Sequence, residues 1–567
     1  MTHTKNEILK TIPEWLAVLP SLTSISKREK DNFTGLLRFA AGIPDLDISR
    51  KVALVRCPGR YRDFAGHTDM KGCGGVLCGT ASSEAIYGLY QIRTDGEVVL
   101  HNMNPLFSAR KFPIASVKTG LPFPSDLNLW DDWTRKYYEK NSGNPDIYGA
   151  YAWDKYIKGF LILISDMPAK IREEYKGELP GITAVYSSDL SYGGGKSSSS
   201  ALVVNAALGL DALYDFEKPS LNEWIDLIGM SEWFSMTRGG CADHAHIFYA
   251  KENHYTLVGS FPTSFIDETP IPSSLTRVIV HSGIDRPHDK KTLHKMRLSS
   301  MGYILSILYI KQYMPELREE LEQRDSFYHL GNLREFTSIG GMNHSPEYVL
   351  NRILRILPVQ ARKEEIYHAL PDFRREAESL ISNDDEPPEG YHIRDIALFG
   401  LAEIERAVHF MKACKKDDAR EILRLVRLSH DGDRINKSSL IDGAWIKNIY
   451  DASMTDKRLD AISKDCQENP HNPETHIRYL PGRFKRSIPE MDLLADMVDT
   501  YFPNDAAIRV MGAGMGGETH AFVRQNKLEN FLNIIHEEYF KKIMKIERPK
   551  ITTLNGSDKG AHILAAT

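Results

Sequence analysis

A run of glycines that turns directly into a run of serines, Leu190-Ser-Tyr-Gly-Gly-Gly-Lys-Ser-Ser-Ser-Ser-Ala201, constrains this chain more than any other stretch. Residues 182–186 before it are β-branched and aromatic and read as a strand, while residues 201–214 after it carry Ala, Leu and Val at helical spacing. Strand, glycine turn and helix together make a cradle for an anion. Glycines let backbone N–H groups approach without Cβ interference, the helix start adds positive potential, and serine hydroxyls supply further donors or a metal ligand.

Two other readings compete for this stretch. Gly195-Lys196-Ser197 has the ending of a Walker A loop, but that pattern needs a glycine five positions before Gly195, where Leu190 stands. A flexible Gly/Ser linker is the other, and tight bracketing by a strand and an apolar helix argues against it.

The chain has 567 residues, enough for two to four domains and a large core. Lys+Arg 71 against Asp+Glu 76 leaves a formal charge of −5, which gives no basic surface for nucleic acid. The six cysteines form no C-x-x-C pair, so neither a zinc knuckle nor a disulfide framework is expected, and a reduced cytoplasm suits them. No run approaches the roughly 18 apolar residues of a membrane span, and the first residues have no signal pattern. The expectation is a soluble, cytoplasmic protein without membrane contact.

Residues 1–50 read as helical, with Trp15, Leu16, Val18 and Leu19 as packing residues. A strand over residues 51–56 is expected to run into a loop, Cys57-Pro-Gly-Arg-Tyr-Arg-Asp-Phe-Ala-Gly-His-Thr-Asp69. Two arginines, two aspartates and a histidine after a Pro-Gly pair exceed what a turn requires. Residues 102–145, rich in Pro, Asp and Asn with Trp130 and Trp133, read as a surface excursion or small lid. Trp153 opens an aromatic segment ahead of the apolar run 160–165, which serves either core packing or nucleotide contact.

After the phosphate helix comes Glu232-Trp-Phe-Ser-Met-Thr-Arg-Gly-Gly-Cys-Ala-Asp-His-Ala-His246. Asp243, His244 and His246 invite a metal reading if they alternate on a strand, but further ligands at useful spacing are wanting. A strand-turn-strand follows over residues 247–261, another strand over 276–283, and amphipathic helices over much of 298–460. The clearest loop is Asn383-Asp-Asp-Glu-Pro-Pro-Glu-Gly390. Near the end, Gly512-x-Gly514-x-x-Gly517 satisfies the Rossmann fingerprint, but residues 519–523 alternate like a strand where that fingerprint requires a helix.

Taken together these stretches resemble the GHMP small-molecule kinases, in their galactokinase-like branch. The run Gly193 to Ala201 is similar to the family's phosphate loop, with Lys196 in place of a leucine. Pro58-Gly59-Arg60 and His67-Thr68-Asp69 match the first galactokinase signature, with Arg62 where the family has Asn and Gly66 where it has Glu. Asp243 stands at the acidic catalytic position, and the Gly512 stretch is similar to the third motif.

The resemblance implies an α+β, two-lobed fold with the active site in the cleft between an N-terminal domain, residues 1–274, and a C-terminal domain, residues 275–567, with a helical insertion around 316–391. It implies ATP-dependent phosphorylation of a monosaccharide at the anomeric hydroxyl, with ATP and magnesium as cofactors. Asp243 and Arg60 would be catalytic. His67, Asp69, Arg62 and Gly240 would bind substrate, and Gly193, Gly194, Gly195, Lys196, Ser197, Ser198, Gly512 and Gly514 would bind ATP. Ser199 and Glu232 would hold the metal. Gly66 leaves a sugar's C6 end without its acceptor and Arg62 adds a cation, so a hexuronic acid, a pentose or a 6-deoxy sugar is expected over galactose. Alternatives are a non-catalytic sugar sensor of the same family and a kinase of a non-sugar alcohol. The oligomeric state is open.

Overall fold

In a computed structural model, strands β1 (Ala53–Phe64) and β2 (Val76–Ile92) pair along nearly their whole length and form the spine of the first lobe. The structure describes all residues except 1–3, 118, 122–123, 125–128, 142–151, 167–178, 191–194, 236–238, 288, 326–327, 343–344, 383–384, 470 and 567. Around the spine lie β3 (Glu97–Asn102), β4 (Arg110–Pro113), β5 (Ile182–Ser188), β6 (His254–Gly259) and β7 (Ser264–Pro270). The order runs β1-β2-β5-β3-β4, with β6 on the far end of β2 and β7 beyond it. All pairs are antiparallel except β3 with β5.

Alternation explains why this sheet is covered on both sides. Val52, Leu54, Tyr87, Leu89 and Val185 point into a core shared with the N-terminal helices Ile12–Val18 and Lys27–Ala40. Ala53, Val55, Ile86, Tyr90 and Tyr186 point the other way, onto the helix Ser198–Tyr214. The expected packing role of Trp15 and Leu19 holds, both being buried.

The second sheet starts with β8 (Leu275–His281). After a separate hairpin, β9 (Asn436–Ile441) with β10 (Ala444–Ile449), it is completed by β11 (Ala506–Val510), β12 (Glu518–Arg524) and β13 (Ile551–Leu554) in the order β11-β12-β8-β13. Helices Lys290–Tyr313 and Ile393–Lys415 pack together in its lobe, and Pro489–Tyr501 covers the sheet. The chain then returns: β14 (His562–Ile563) pairs with β1, so the last residues belong to the first sheet.

Buried charges clamp the two sheets. Arg277 on β8 donates to Asp63 on β1 at 2.6 Å and to Thr80 on β2 at 2.7 Å, while Arg509 on β11 reaches Asp63 O at 3.5 Å and is itself held by Ser429 at 2.9 Å and Glu403 at 3.4 Å. Breaking one such pair leaves an uncompensated buried charge, which costs about 3–5 kcal/mol.

Several local expectations change. The segment 57–64 is not a loop: β1 runs through it to Phe64, with register shifts between Pro58 and Arg60 and between Arg62 and Phe64. Residues 242–249 form a helix, Ala242–Tyr249, because Ala, His and Ile there bury against the first core; β6 begins only at His254. Trp130 and Trp133 belong to the helix Trp130–Asn141 and are buried, Trp133 edge-on to Phe234 at 5.1 Å, so that part of 102–145 is core. Trp153 is likewise a packing residue, edge-on to Tyr186 at 5.6 Å.

Candidate active site

Bulges re-aim side chains, and β1 has one on each side of its arginine pair. Arg60 and Arg62, two residues apart, share a face of the strand and converge on Asp243, near the start of the helix Ala242–Tyr249. Arg60 binds it bidentately, Nε to Oδ1 and Nη2 to Oδ2, both at 2.7 Å. Arg62 approaches Oδ1 at 2.8 Å with Nη2 and 2.9 Å with Nε, and also donates to Asp69 at 2.7 Å. Ser197 donates its hydroxyl to Asp243 Oδ2.

Burial alone would raise the pKa of Asp243, but the charges of Arg60 and then Arg62 hold it well below the usual carboxylate range. The carboxylates of Asp243 and Asp69 raise the pKa of Arg62 against its own desolvation. Asp243 is therefore a firmly ionised, weakly basic group.

The glycine turn is brought against this cluster by close backbone approach. Arg60 N–H donates to Lys196 O at 3.1 Å, and Arg60 Nη1 to Gly195 O at 2.7 Å. Gly59 permits it: a Cβ there would lie 2.6 Å from Leu190 Cδ1 and 2.9 Å from Lys196 O. Gly193 and Gly194 lie outside the described residues. Ser197 caps the helix Ser198–Tyr214 with left-handed φ +54° and no side-chain capping bond, since its hydroxyl is committed to Asp243. The N–H groups of the first turn, Ser198 to Ser200, consequently face outward for an anion.

A cleft of about 400 Å³ opens here, lined by Arg60, Arg62, Gly195, Ser197, Ser199 and Ser200 from one side, Glu232, Gly240, Asp243 and His244 from another, and Arg286, Met296, Gly512 and Ala513 from the second lobe. Gly512 and Gly514 lie in the turn joining β11 to β12, the strand-loop-strand arrangement expected; Gly514 has φ +74°, and a Cβ there would sit 2.3 Å from Arg486 O.

At the other end Glu232 accepts from Ser200 at 3.0 Å and lies 3.1 Å from His244 Nε2. Ser199 lines the cleft, but the hydroxyl bonded to Glu232 is that of Ser200. Carboxylate and hydroxyl oxygens are the donors a hard cation takes, so this corner fits magnesium completed by nucleotide phosphates. His246 instead faces Thr256 O at 3.3 Å, and among the described residues no group of three His, Cys, Asp or Glu could hold a metal.

Other candidates stand elsewhere. Lys196 is held by Glu84 in an ion pair beside Tyr61 and does not line the cleft. His67, left-handed at φ +69°, stacks on Phe484 at 5.1 Å and lies 3.6 Å from Asp433; burial, then Arg486, keeps it neutral. Gly240, by contrast, lines the cleft and packs on Asp69, a Cβ there meeting Asp69 O at 2.7 Å. The space beside Gly66 is occupied: a Cβ would meet the Arg509 guanidinium at 3.2 Å. Sequence reasoning gave no role to Arg286 or Met296; it took Ser200 only as part of the serine run and His244 only as a metal candidate beside Asp243.

Neither a protein-family model nor a curated protein sequence matches the chain. Among solved structures it is similar to the galactokinase of Lactococcus lactis in complex with galactose, at 15% identity over 94% of this chain and 99% of that one, with a TM-score of 0.56. Weaker likenesses include the Lin0012 protein of Listeria innocua, at 12% identity over 90% and 99% and a TM-score of 0.42, and the phosphomevalonate kinase of Streptococcus pneumoniae with phosphomevalonate and AMPPNP, at 11% identity over 88% and 99% and a TM-score of 0.41. The chain has the two-lobed α+β fold of that galactokinase, the GHMP kinase fold the motifs led us to expect. No helix of the described residues is long and apolar enough to cross a membrane.

Proposed function

We propose that the chain is an ATP-dependent kinase of a small alcohol, with a monosaccharide as acceptor and its anomeric hydroxyl as the nucleophile. The observation that carries this reading is the convergence of Arg60, Arg62 and Ser197 on Asp243 at the mouth of the glycine turn. Phosphoryl transfer demands little covalent chemistry from a protein; it needs the phosphates cradled, the nucleophile held in line, and the developing charge neutralised.

Each part has a residue to perform it. Gly195 and the open first turn from Ser198 would receive the phosphates, with the Gly512 turn closing the cleft from the second lobe. A magnesium ion held by Glu232 with Ser199 or Ser200 would neutralise phosphate charge. Asp243 would accept a hydrogen bond from the acceptor hydroxyl and orient it more than deprotonate it, because two guanidinium groups hold it ionised. Arg60, beside both Asp243 and Gly195 O, is placed to offset charge growing on the transferring group.

The acceptor reading is narrowed by Arg62 and Arg509. Arg62 is committed to Asp69 and Asp243, so it is not free to receive a C6 carboxylate, and the hexuronic acid loses its support. Arg509 fills the space beside Gly66, which favours a pentose or 6-deoxy sugar over a larger substituent.

Purified protein with ATP and magnesium, screened against pentoses, 6-deoxyhexoses, galactose, hexuronic acids and acyclic alcohols, tests this directly. ADP release with a pentose or 6-deoxy sugar and a product phosphate at C1 by NMR is the expected result. Turnover only with an acyclic alcohol overturns the sugar reading, and binding without turnover turns the protein into the sensor.

A further inference from the structure

The loop that stood out in the sequence as the richest in proline and acid has no part in the cleft. Its residues 385–390 cover a second cavity of about 540 Å³ in the second lobe, between the helix Lys290–Tyr313 and the segment 483–487. This cavity shares no lining residue with the cleft. Its size is that of a small-molecule site.

Most of its wall is apolar or aromatic, from Leu298, Tyr391, Ile396, Phe484 and Met515. Four cations stand around that wall: Lys291, Lys295, Arg483 and Lys485. Asp385, Glu386 and Glu389 line the cavity as well, and among the described residues ion pairs reach Lys485 and, at 4.0 Å, Arg483. Glu389 lies 3.3 Å from both Lys485 and His392, and Glu386 faces Arg362 at 3.6 Å. Among the described residues Lys291 and Lys295 form no ion pair, while Arg483 is 4.0 Å from each of Asp395 and Asp451 with its Nε buried and without a hydrogen bond. Burial, then the neighbouring Arg483 charge, lowers the pKa of Lys485 and His392 alike. A guanidinium N–H buried without an acceptor is costly until one arrives to meet it.

We propose that this cavity is a second ligand site, which takes a small organic anion with a flat apolar body: the body lies against Phe484, Tyr391 and Leu298, and the anionic head is held by Arg483 with Lys295 and Lys291. The Phe484 ring is fixed from behind by stacking on His67, and Ser299 of the cavity wall donates to Phe484 O at 3.3 Å.

Calorimetric titration of the full chain with phenyl phosphate and with benzoate, each repeated in the presence of excess AMPPNP and magnesium, tests the site. Inorganic phosphate and benzyl alcohol are the head-only and body-only controls. One binding event that persists with AMPPNP is expected for at least one aromatic anion, with both controls at least ten-fold weaker. Lys295→Glu, an exposed position where the fold is not at stake, weakens it ten-fold or more, and Arg483→Gln does so as well. Failure of both anions to bind, equal binding by inorganic phosphate, loss on adding AMPPNP, or unchanged affinity in Lys295→Glu overturns the proposal.

Discussion

The Arg62 guanidinium bridges Asp69 and Asp243, reaching the first at 2.7 Å and the second at 2.8 Å. With Arg60 on the other edge of Asp243, two cations share two carboxylates in a nearly buried cluster, so charge is balanced before any ligand enters. Arg62→Gln removes one of the cations that hold the Asp243 carboxyl down. The pKa of Asp243 then rises, and the acid limb of the pH–rate profile moves to higher pH. The side-chain carboxyl NMR shift of Asp243, followed with turnover from the acid edge of folding up to pH 8 in both proteins, checks the sign; a titration that stays in place or moves lower means that Arg62 is not what holds this carboxyl down.

Replacing Asp243 itself should cost both function and stability. Asp243→Asn leaves Arg60 without its bidentate carboxylate and Arg62 with Asp69 alone, so we expect turnover to fall roughly 10²-fold or more and the melting temperature to drop. Thermal unfolding together with single-turnover assay separates the two losses. Full activity in the variant removes Asp243 from the chemistry.

The corner around Glu232 predicts an order among the serines. Ser200 donates to Glu232 whereas Ser199 only lines the cleft, so their alanine variants should differ. If Ser199 is the free hydroxyl that reaches magnesium, Ser199→Ala raises the magnesium needed for half-maximal rate several-fold, while Ser200→Ala mainly lowers stability by about 1 kcal/mol, the scale of one hydrogen bond. The reverse order makes Ser200 the ligand.

Much of this site was legible because its residues lie in short contiguous motifs. The glycine-serine run is recognisable by local grammar, Arg60 and Asp243 by resemblance to family motifs, and the structure brings Arg60 to Asp243 across 183 residues of chain. Partners set by long-range packing were not legible. Nothing near Lys196 in sequence announces Glu84, which reaches it because β2 runs alongside the turn. Gly66 looked like vacant space until Arg509 of the second sheet filled it. Residues 57–64 read as a loop because Pro and Gly usually end strands, yet bulges let β1 carry them. His67 was assigned by its neighbours Thr68 and Asp69, but Phe484, more than 400 residues away, decides where its ring lies.

Ser197 donates to Asp243 from a left-handed backbone, φ +54°, which a β-carbon disfavours. Glycine and alanine at this position both remove the hydroxyl, but only glycine relieves the backbone. Ser197→Gly is therefore expected to be more stable than Ser197→Ala by about 1 kcal/mol in urea unfolding, although glycine also enlarges the entropy of the unfolded chain. Both variants should lose the same catalytic contribution. If alanine proves the more stable of the two, the left-handed geometry is not what this position requires.

A final prediction concerns Asp433, whose carboxyl oxygens are buried without a hydrogen bond at the end of the helix Ala419–Asp433, beside His67. Burial is the largest influence on it and raises its pKa to about 7, with Arg509 opposing and Glu403 adding to the rise. The unfolded chain releases the same proton near pH 3.9. Between about pH 4 and 7 the folded state therefore holds a proton that the unfolded state has lost, and stability falls as pH rises through that window. Below it the contribution is fully present; above it the loss is complete. An asparagine side chain has no proton to lose, so the stability of Asp433→Asn relative to the parent should climb steadily from about pH 4.5 to 7.5. Titrating groups remote from Asp433 are common to both proteins and cancel in that difference; of its neighbours, His67 is kept neutral throughout by burial and Arg486, and Glu403 is the one whose charge acts on Asp433. Urea unfolding at four pH values across the window measures it. A difference that stays flat, or that shrinks with rising pH, means that Asp433 is ionised in the folded protein and that its charge is met by Arg509 and Arg486.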